Sequence, residues 1–106
     1  MRIDLIPQRR DERLVLARAG DVLSVNGTDY DFGALPEGAL LPREAVDCDW
    51  LASDVERAGG VLRLALILPH GARAGAQTLH PAPLVLTGDG PVALPPYEIE
   101  ESADAD

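Results

Sequence analysis

The chain of 106 residues has the length of one domain, and its net charge of −9 makes it strongly acidic. This charge argues against nucleic acid and anionic membrane surfaces as partners, because both are bound by clustered cations. A single cysteine, Cys48, leaves no disulfide framework, and no apolar run reaches the roughly 18 residues of a membrane-spanning helix. The opening residues 1–8 carry Arg2 and Asp4 and do not resemble a signal peptide, so we expect a cytoplasmic protein.

The first third of the chain predicts four strands. In the first, over residues 2–6, Ile3 and Leu5 share a face, and Pro7 is expected to end the strand because it lacks an N–H donor. Three more are predicted at 13–18, 21–25 and 28–32, joined by turns at Ala19-Gly20 and Asn26-Gly27. Asn-Gly is the strongest two-residue hairpin signal, because both positions of a type I′ turn need positive φ.

These two turns specify a pairing register. A two-residue turn at Asn26-Gly27 sets Leu23 opposite Tyr30, and one at Ala19-Gly20 sets Leu16 opposite Leu23. Both registers place one set of apolar side chains on a common face: Leu14, Leu16, Leu23, Val25, Tyr30 and Phe32. The sequence therefore predicts an antiparallel meander with one buried face.

Residues 33–49 form a long connection that is broken by prolines and glycine. Its spaced leucines favour packing against the body, and residues 42–46 could form one helical turn. Trp50 is expected either to anchor this loop or to open the next strand.

The most apolar run of the chain, residues 61–68, predicts a central strand. Its four leucines alternate onto one face: Leu62, Leu64, Leu66 and Leu68. A hairpin through Gly59-Gly60 pairs this run with residues 53–58 and sets Glu56 opposite Arg63, where the two could form a cross-strand ion pair.

The last third of the chain predicts a polar loop over residues 69–80 and two strands, at 82–87 and 91–94. We therefore expect a mainly β protein, a small antiparallel sandwich or barrel-like sheet of about six to eight strands built from hairpins. Residues 1–96 would form the single domain. Residues 97–106 hold five of the eighteen acidic side chains and would form a mobile, disordered acidic tail.

No combination of residues points to catalysis, a cofactor or a metal. His70 and His80 are ten positions apart and lack the close ligand spacing of zinc sites, and Cys48 has no base beside it in the sequence. Asp47, Asp49 and other acids fit a solvated surface better than a calcium loop. The chain is therefore predicted not to be an enzyme.

The second face of the central strand is the candidate functional surface. It carries four residues: Val61, Arg63, Ala65 and Ile67. If no other part of the chain covers this face, it becomes an interface for another protein or for a second copy.

Several short stretches resemble small uncharacterised proteins encoded in phages and prophages among tail genes. They are the opening residues 3–12, Asn26-Gly27 running into Asp31-Phe32, residues 35–38, residues 66–71 and the ending 90–97. The resemblance covers nearly the whole chain and consists of turns and strand ends, so it implies a fold and no chemistry.

What the resemblance implies is a structural or assembly accessory protein of a phage-like particle that acts through protein–protein contacts. Tail components would be its partners, self-association is another option, and the protein could become part of a virion-like particle. No cofactor is expected. The alternative is a binding module for a small ligand or a carbohydrate.

Overall fold

The computed structural model of the protein describes residues 1–97, which form nine strands and one short helix. The strands are β1 (Arg2–Arg9), β2 (Leu16–Ala19), β3 (Val22–Val25), β4 (Thr28–Asp31), β5 (Leu40–Leu41), β6 (Val55–Ala58), β7 (Val61–His70), β8 (Leu84–Val85) and β9 (Gly90–Val92). The helix is α1 (Ala76–Leu79), and a 3-10 turn covers Arg43–Ala45. The mainly β class is confirmed, whereas the predicted acidic tail lies, except for Tyr97, outside the described residues.

The strands form two open sheets. The five-stranded sheet has the order β5-β6-β7-β1-β8, and the four-stranded sheet has the order β4-β3-β2-β9. Residues 1–97 therefore do not form the barrel-like alternative. The longest pairing, between β1 and β7, is parallel, running from Arg2 opposite Arg63 to Arg9 opposite His70. A sheet built from hairpins alone cannot contain such a pair, because parallel neighbours need a long crossover connection.

One apolar core lies between the inner faces of the two sheets. The four leucines of β7 point into it, as predicted, together with Ile3 and Leu5 of β1. The four-stranded sheet contributes Leu16, Leu23 and other residues of the predicted common face. Burying one such side chain stabilises the fold by about 1.5–3 kcal/mol, so this shared core holds the two sheets together.

The turn between β2 and β3 is displaced by one residue from its predicted position. Ala19 pairs with Val22, so Gly20 and Asp21 form the turn and Leu16 lies opposite Val25 instead of Leu23. Gly20 has a φ of +61°, which suits the glycine at the first central position of a type II′ turn. The predicted apolar side chains still share one face, because β3 is shifted by two residues along β2 and side chains return to the same face of a strand every two residues.

The other two predicted hairpin turns are confirmed. Asn26 and Gly27 have φ of +50° and +85°, and Leu23 lies opposite Tyr30 as predicted. Gly59 and Gly60 also have positive φ and set Glu56 opposite Arg63.

Strand β1 continues through Pro7 to Arg9, so the prediction that Pro7 ends it was wrong. The N–H of Arg10 donates to the carbonyl of His70 at 3.2 Å. Because backbone groups alternate along a strand, the nitrogen of Pro7 faces away from β7. On that side β8 pairs only with Arg2 and Ile3, so the missing donor at Pro7 breaks no ladder bond.

The predicted loop over residues 69–80 is partly ordered, because β7 extends to His70 and α1 follows. The loop of residues 33–49 contains β5 and the 3-10 turn, which agrees with the predicted helical turn. Trp50 is buried, and its carbonyl accepts the N–H of Ile67 at 2.8 Å, so it anchors the loop on β7.

Arg57 of β6 joins the two sheets. Its guanidinium donates to the carbonyls of Leu35 at 2.6 Å and Phe32 at 3.1 Å, and to a carboxylate oxygen of Asp21 at 3.1 Å. The side chain of Arg57 is only 16% exposed, so these three acceptors replace most of its water shell.

Candidate interaction face

A single row of outward-pointing residues crosses all five strands of the larger sheet. In the order β5-β6-β7-β1-β8, this outer row consists of Leu40, Glu56, Arg63, Arg2 and Val85, each opposite the next. The next position along β1, Ile3, is fully buried and lies opposite Leu64. Alternation along the strands therefore separates an apolar inner face from this mixed outer row.

The ends of the outer row are apolar and its centre is charged. Leu40 is 54% exposed and Val85 is 69% exposed, which are high values for large aliphatic side chains. Between them, one carboxylate and two guanidiniums follow in the order acid, base, base. No strand among the described residues covers this row.

The two arginines of the row, Arg2 and Arg63, lie directly opposite each other on neighbouring strands. Like charges in this position destabilise a sheet unless a counter-charge is near. The carboxylate of Asp4 lies 3.7 Å from Arg2, but both side chains are about half exposed, so this ion pair contributes little.

The predicted ion pair between Glu56 and Arg63 does not form within 4 Å. Their register is as predicted, yet the ion pairs found among residues 1–97 are Arg2–Asp4 and Arg57–Asp21. The carboxylate of Glu56 and the guanidinium of Arg63 are therefore available to charged groups from outside.

A groove of about 580 Å³ lies over the outer row. Its lining consists of Arg2, Asp4, Leu40, Ser53, Asp54, Glu56, Arg63, Leu64 and Ala65. Ser53 is fixed in this groove because its hydroxyl accepts the N–H of Ala65 and donates to the carbonyl of Asp54, both at 2.8 Å. The carboxylate of Asp54 accepts the N–H of Arg43 at 2.8 Å.

The four predicted interface residues share the outward face of β7 but differ in exposure. Val61 is 36% exposed and Arg63 is exposed, whereas Ile67 is half-buried and Ala65 is 9% exposed. The segment 50–53 runs beside β7, where the N–H of Ala52 donates to the carbonyl of Ala65. The segment thus extends the sheet beside the second half of β7, where Ile67 packs against the core.

Sequence reasoning set Glu56 opposite Arg63, but it did not find Leu40, Arg2 or Val85 as members of the row. Alternation along β1 could have placed Arg2 on the outward face, because Ile3 and Leu5 were already assigned inward. The position of Arg2 directly beside Arg63 could not be predicted in this way, since no local turn connects β1 to β7.

The histidines and the cysteine are not brought together into a metal site. Within residues 1–97 there is no group of three or more side chains of His, Cys, Asp or Glu that could hold a metal ion. The Nδ1 atom of His70 lies 2.9 Å from the carbonyl of Gly71 at the end of β7. His80 follows α1 and is exposed, whereas Cys48 is half-buried near the core.

Tyr30 is the one side chain in the described region whose pKa is shifted far. Its hydroxyl donates to the carbonyl of Asp47 at 2.9 Å. Burial, the neighbouring Cys48 thiol and the carboxylates of Asp47 and Asp49 together raise the pKa of Tyr30 to about 12. The raised pKa keeps the phenol protonated to higher pH than in an ordinary tyrosine, so the hydroxyl can continue to donate its hydrogen bond.

No protein-family model, curated protein or solved structure matches this chain. Among residues 1–97, no helix has the length and apolar character needed to cross a bilayer. The class that the fold defines is thus a two-sheet, mainly β protein whose mixed-charge outer row is not covered by any strand within residues 1–97.

Proposed function

We propose that this protein is a non-enzymatic interaction module that binds other proteins through the outer face of its five-stranded sheet. The observation that carries the proposal is the outer row, in which the charged centre is flanked by the exposed aliphatic side chains of Leu40 and Val85. Charged groups that lack internal partners give specificity at an interface, and exposed apolar groups give affinity when they are buried.

The polar side chains near this face support a non-enzymatic role because they already make structural bonds. The hydroxyl of Ser53 and the carboxylate of Asp54 both hold backbone groups of their own chain. A nucleophile or base needs its reacting atom free and its partner within reach.

We further propose that the partners belong to a phage-like particle, in which the protein acts as a structural or assembly accessory. The support is the resemblance of several stretches, among them residues 66–71 and 90–97, to small proteins encoded among tail genes. Incorporation into a virion-like particle belongs to the same proposal.

A second candidate, binding of a small ligand or carbohydrate, is favoured by the groove of about 580 Å³. Small-molecule sites are mainly apolar and aromatic with a few polar groups, whereas charged and polar side chains line most of this groove and no aromatic one does. This composition makes a protein surface the better fit. Titrating the protein with a panel of neutral sugars would favour the second candidate if the amide signals of Arg63 and Ala65 moved saturably.

A photo-cross-linking experiment tests the proposed function. A photoreactive phenylalanine analogue replaces Val61 on the outer face, and in a matched control it replaces Asp29, which is exposed on the four-stranded sheet. We expect protein cross-links from position 61, either to a particle protein or to a second copy of this chain, and none from position 29. Equal labelling from both positions, or no protein adduct at position 61, would overturn the proposal.

A further inference from the structure

We propose that the partner of the outer face is a second copy of this chain, bound across a twofold axis that runs parallel to β7. This inference rests on the proposed function and names the occupant of the same face. The observation that carries it is the order of residues in the outer row. When the row is laid over its own reverse, acid faces base and aliphatic faces aliphatic on both sides of the central Arg63.

The pairing follows from placing the axis above Arg63 in the middle of the row. A twofold axis along β7 reverses the order of the strands in the second copy while it keeps their direction. Each Glu56 then lies over Arg2 of the second copy, and each Leu40 lies over Val85 of the second copy. One such contact therefore brings together two acid–base pairs and two aliphatic pairs.

The residues along β7 itself lie on the axis and meet their own copies. Of these, Val61 is apolar and 36% exposed, so its self-contact removes apolar surface from water. Ala65 and Ile67 are largely covered within the chain and add little. The complementary charges beside the axis therefore carry the argument for an isologous contact.

The size of the face suits a weak dimer. Strands β1 and β7 pair over eight residues, but β5, β6 and β8 have only two to four residues each. At about 4.8 Å per strand and about 3.3 Å per residue, two such faces bury about 800 Å² together. This area lies below the roughly 1,000 Å² of a stable specific interface and is typical of a weak association.

The contact of Arg63 with its own copy is the one unfavourable part of this arrangement. The nearby carboxylates of Asp4 and Asp54 in the same groove offset some of this repulsion. We therefore expect Arg63→Gln to tighten the dimer, on the order of tenfold, because it removes a like-charge contact. A partner that needed the guanidinium would be bound more weakly by the same variant.

Sedimentation equilibrium from about 1 µM to about 1 mM tests the dimer, since this span covers weak and moderate affinities. Arg2→Glu sets two acids opposite each other, and Glu56→Arg sets two bases opposite each other. We expect each variant alone to associate on the order of 100-fold more weakly than the natural protein.

An equimolar mixture of the two variants gives the sharpest result. In a mixed dimer every acid again faces a base, so the mixture should associate about as strongly as the natural protein. Controls with the same charge changes, Arg9→Glu and Asp29→Arg, lie outside the row and should not alter association. Circular dichroism of each variant checks that it is folded.

The outcomes separate this inference from the proposed function. A natural protein that stays monomeric throughout the concentration range overturns the second copy as partner, and so does a mixture that fails to associate. If the cross-links from position 61 to other proteins persist in that case, the outer face remains an interaction surface and only the identity of its occupant is wrong.

Discussion

The two sheets of this protein are assembled in different ways. In the four-stranded sheet, β2, β3 and β4 follow one another through two-residue turns, so their pairing is decided within 16 residues of chain. In the five-stranded sheet, the longest pairing joins Arg2 to Arg63 and their neighbours, 61 positions away. The β2–β4 meander needs only turn chemistry, whereas β9 of the same sheet and the β1–β7 pair of the other sheet join only when distant segments meet in the shared core.

Their outward faces differ as well. The row across the four-stranded sheet consists of Pro91, Ala17, Ser24 and Asp29, which are small residues with one charge. The outer row of the five-stranded sheet carries three charges between two exposed aliphatic side chains. This difference is the reason for placing the proposed interaction face on the five-stranded sheet.

The largest effect on stability is expected for truncations in the shared core, which test whether the two sheets unfold as one cooperative unit. Leu66 of β7 and Leu23 of β3 are each 1% exposed in the same core. Leu66→Ala and Leu23→Ala should each lower the free energy of unfolding by about 2–5 kcal/mol, because each leaves a cavity. Urea unfolding followed by tryptophan fluorescence and circular dichroism should give one coincident transition for both variants.

This expectation would be contradicted if the four-stranded sheet of the Leu23→Ala variant unfolded while its five-stranded sheet stayed folded. In that case the Leu23→Ala protein would show two separated transitions, and the shared core would not couple the sheets.

The second prediction concerns Arg57, which bridges the sheets. Arg57→Ala should cost about 2–3 kcal/mol, because it leaves the carbonyls of Leu35 and Phe32 without their donor. Asp21→Asn should cost less than about 1 kcal/mol, since the Asp21 side chain is 43% exposed. Urea midpoints of the two variants measure the difference. Equal losses would show that the ion pair, and not the carbonyl contacts, joins the sheets.

The smallest effect is expected at alkaline pH and concerns Tyr30. Its pKa of about 12 in the folded protein lies above the ordinary value of 10.0, so folding favours the protonated phenol. The corresponding stability is fully present below pH 10 and is lost as the pH rises through 12. Tyr30→Phe should remove this part of the pH dependence, measured as urea midpoints between about pH 9 and pH 12. If the Tyr30→Phe variant lost as much stability at alkaline pH as the natural protein, this loss would belong to another titrating group.

The hairpins of both sheets could be predicted because their turns act over short distances. Asn26-Gly27 and Gly59-Gly60 adopt the positive φ that their hairpins need, and the registers follow. The turn before β3 was misplaced by one residue, because Gly20 suits the first central position of a different turn type.

The neighbours of β1 could not be predicted in the same way. Strand β1 lies beside β7 on one edge and β8 on the other, and no short connection joins it to either. For this reason Pro7 seemed to end a strand that in fact continues along β7 to Arg9. Two of the five residues of the outer row, Arg2 and Val85, were missed for the same reason, since they come from distant parts of the chain.

The sequence by itself determined the β class, the hairpin turns and the division of β7 into a leucine face and an outward face. These features depend on side-chain alternation and on backbone preferences that act between near neighbours. Only the tertiary structure decided that β1 pairs in parallel with β7, and so that Arg2 stands beside Arg63 in one row. Hydrophobic burial drives this assembly, and because burial is non-directional, the sequence pattern does not say which distant strands will meet.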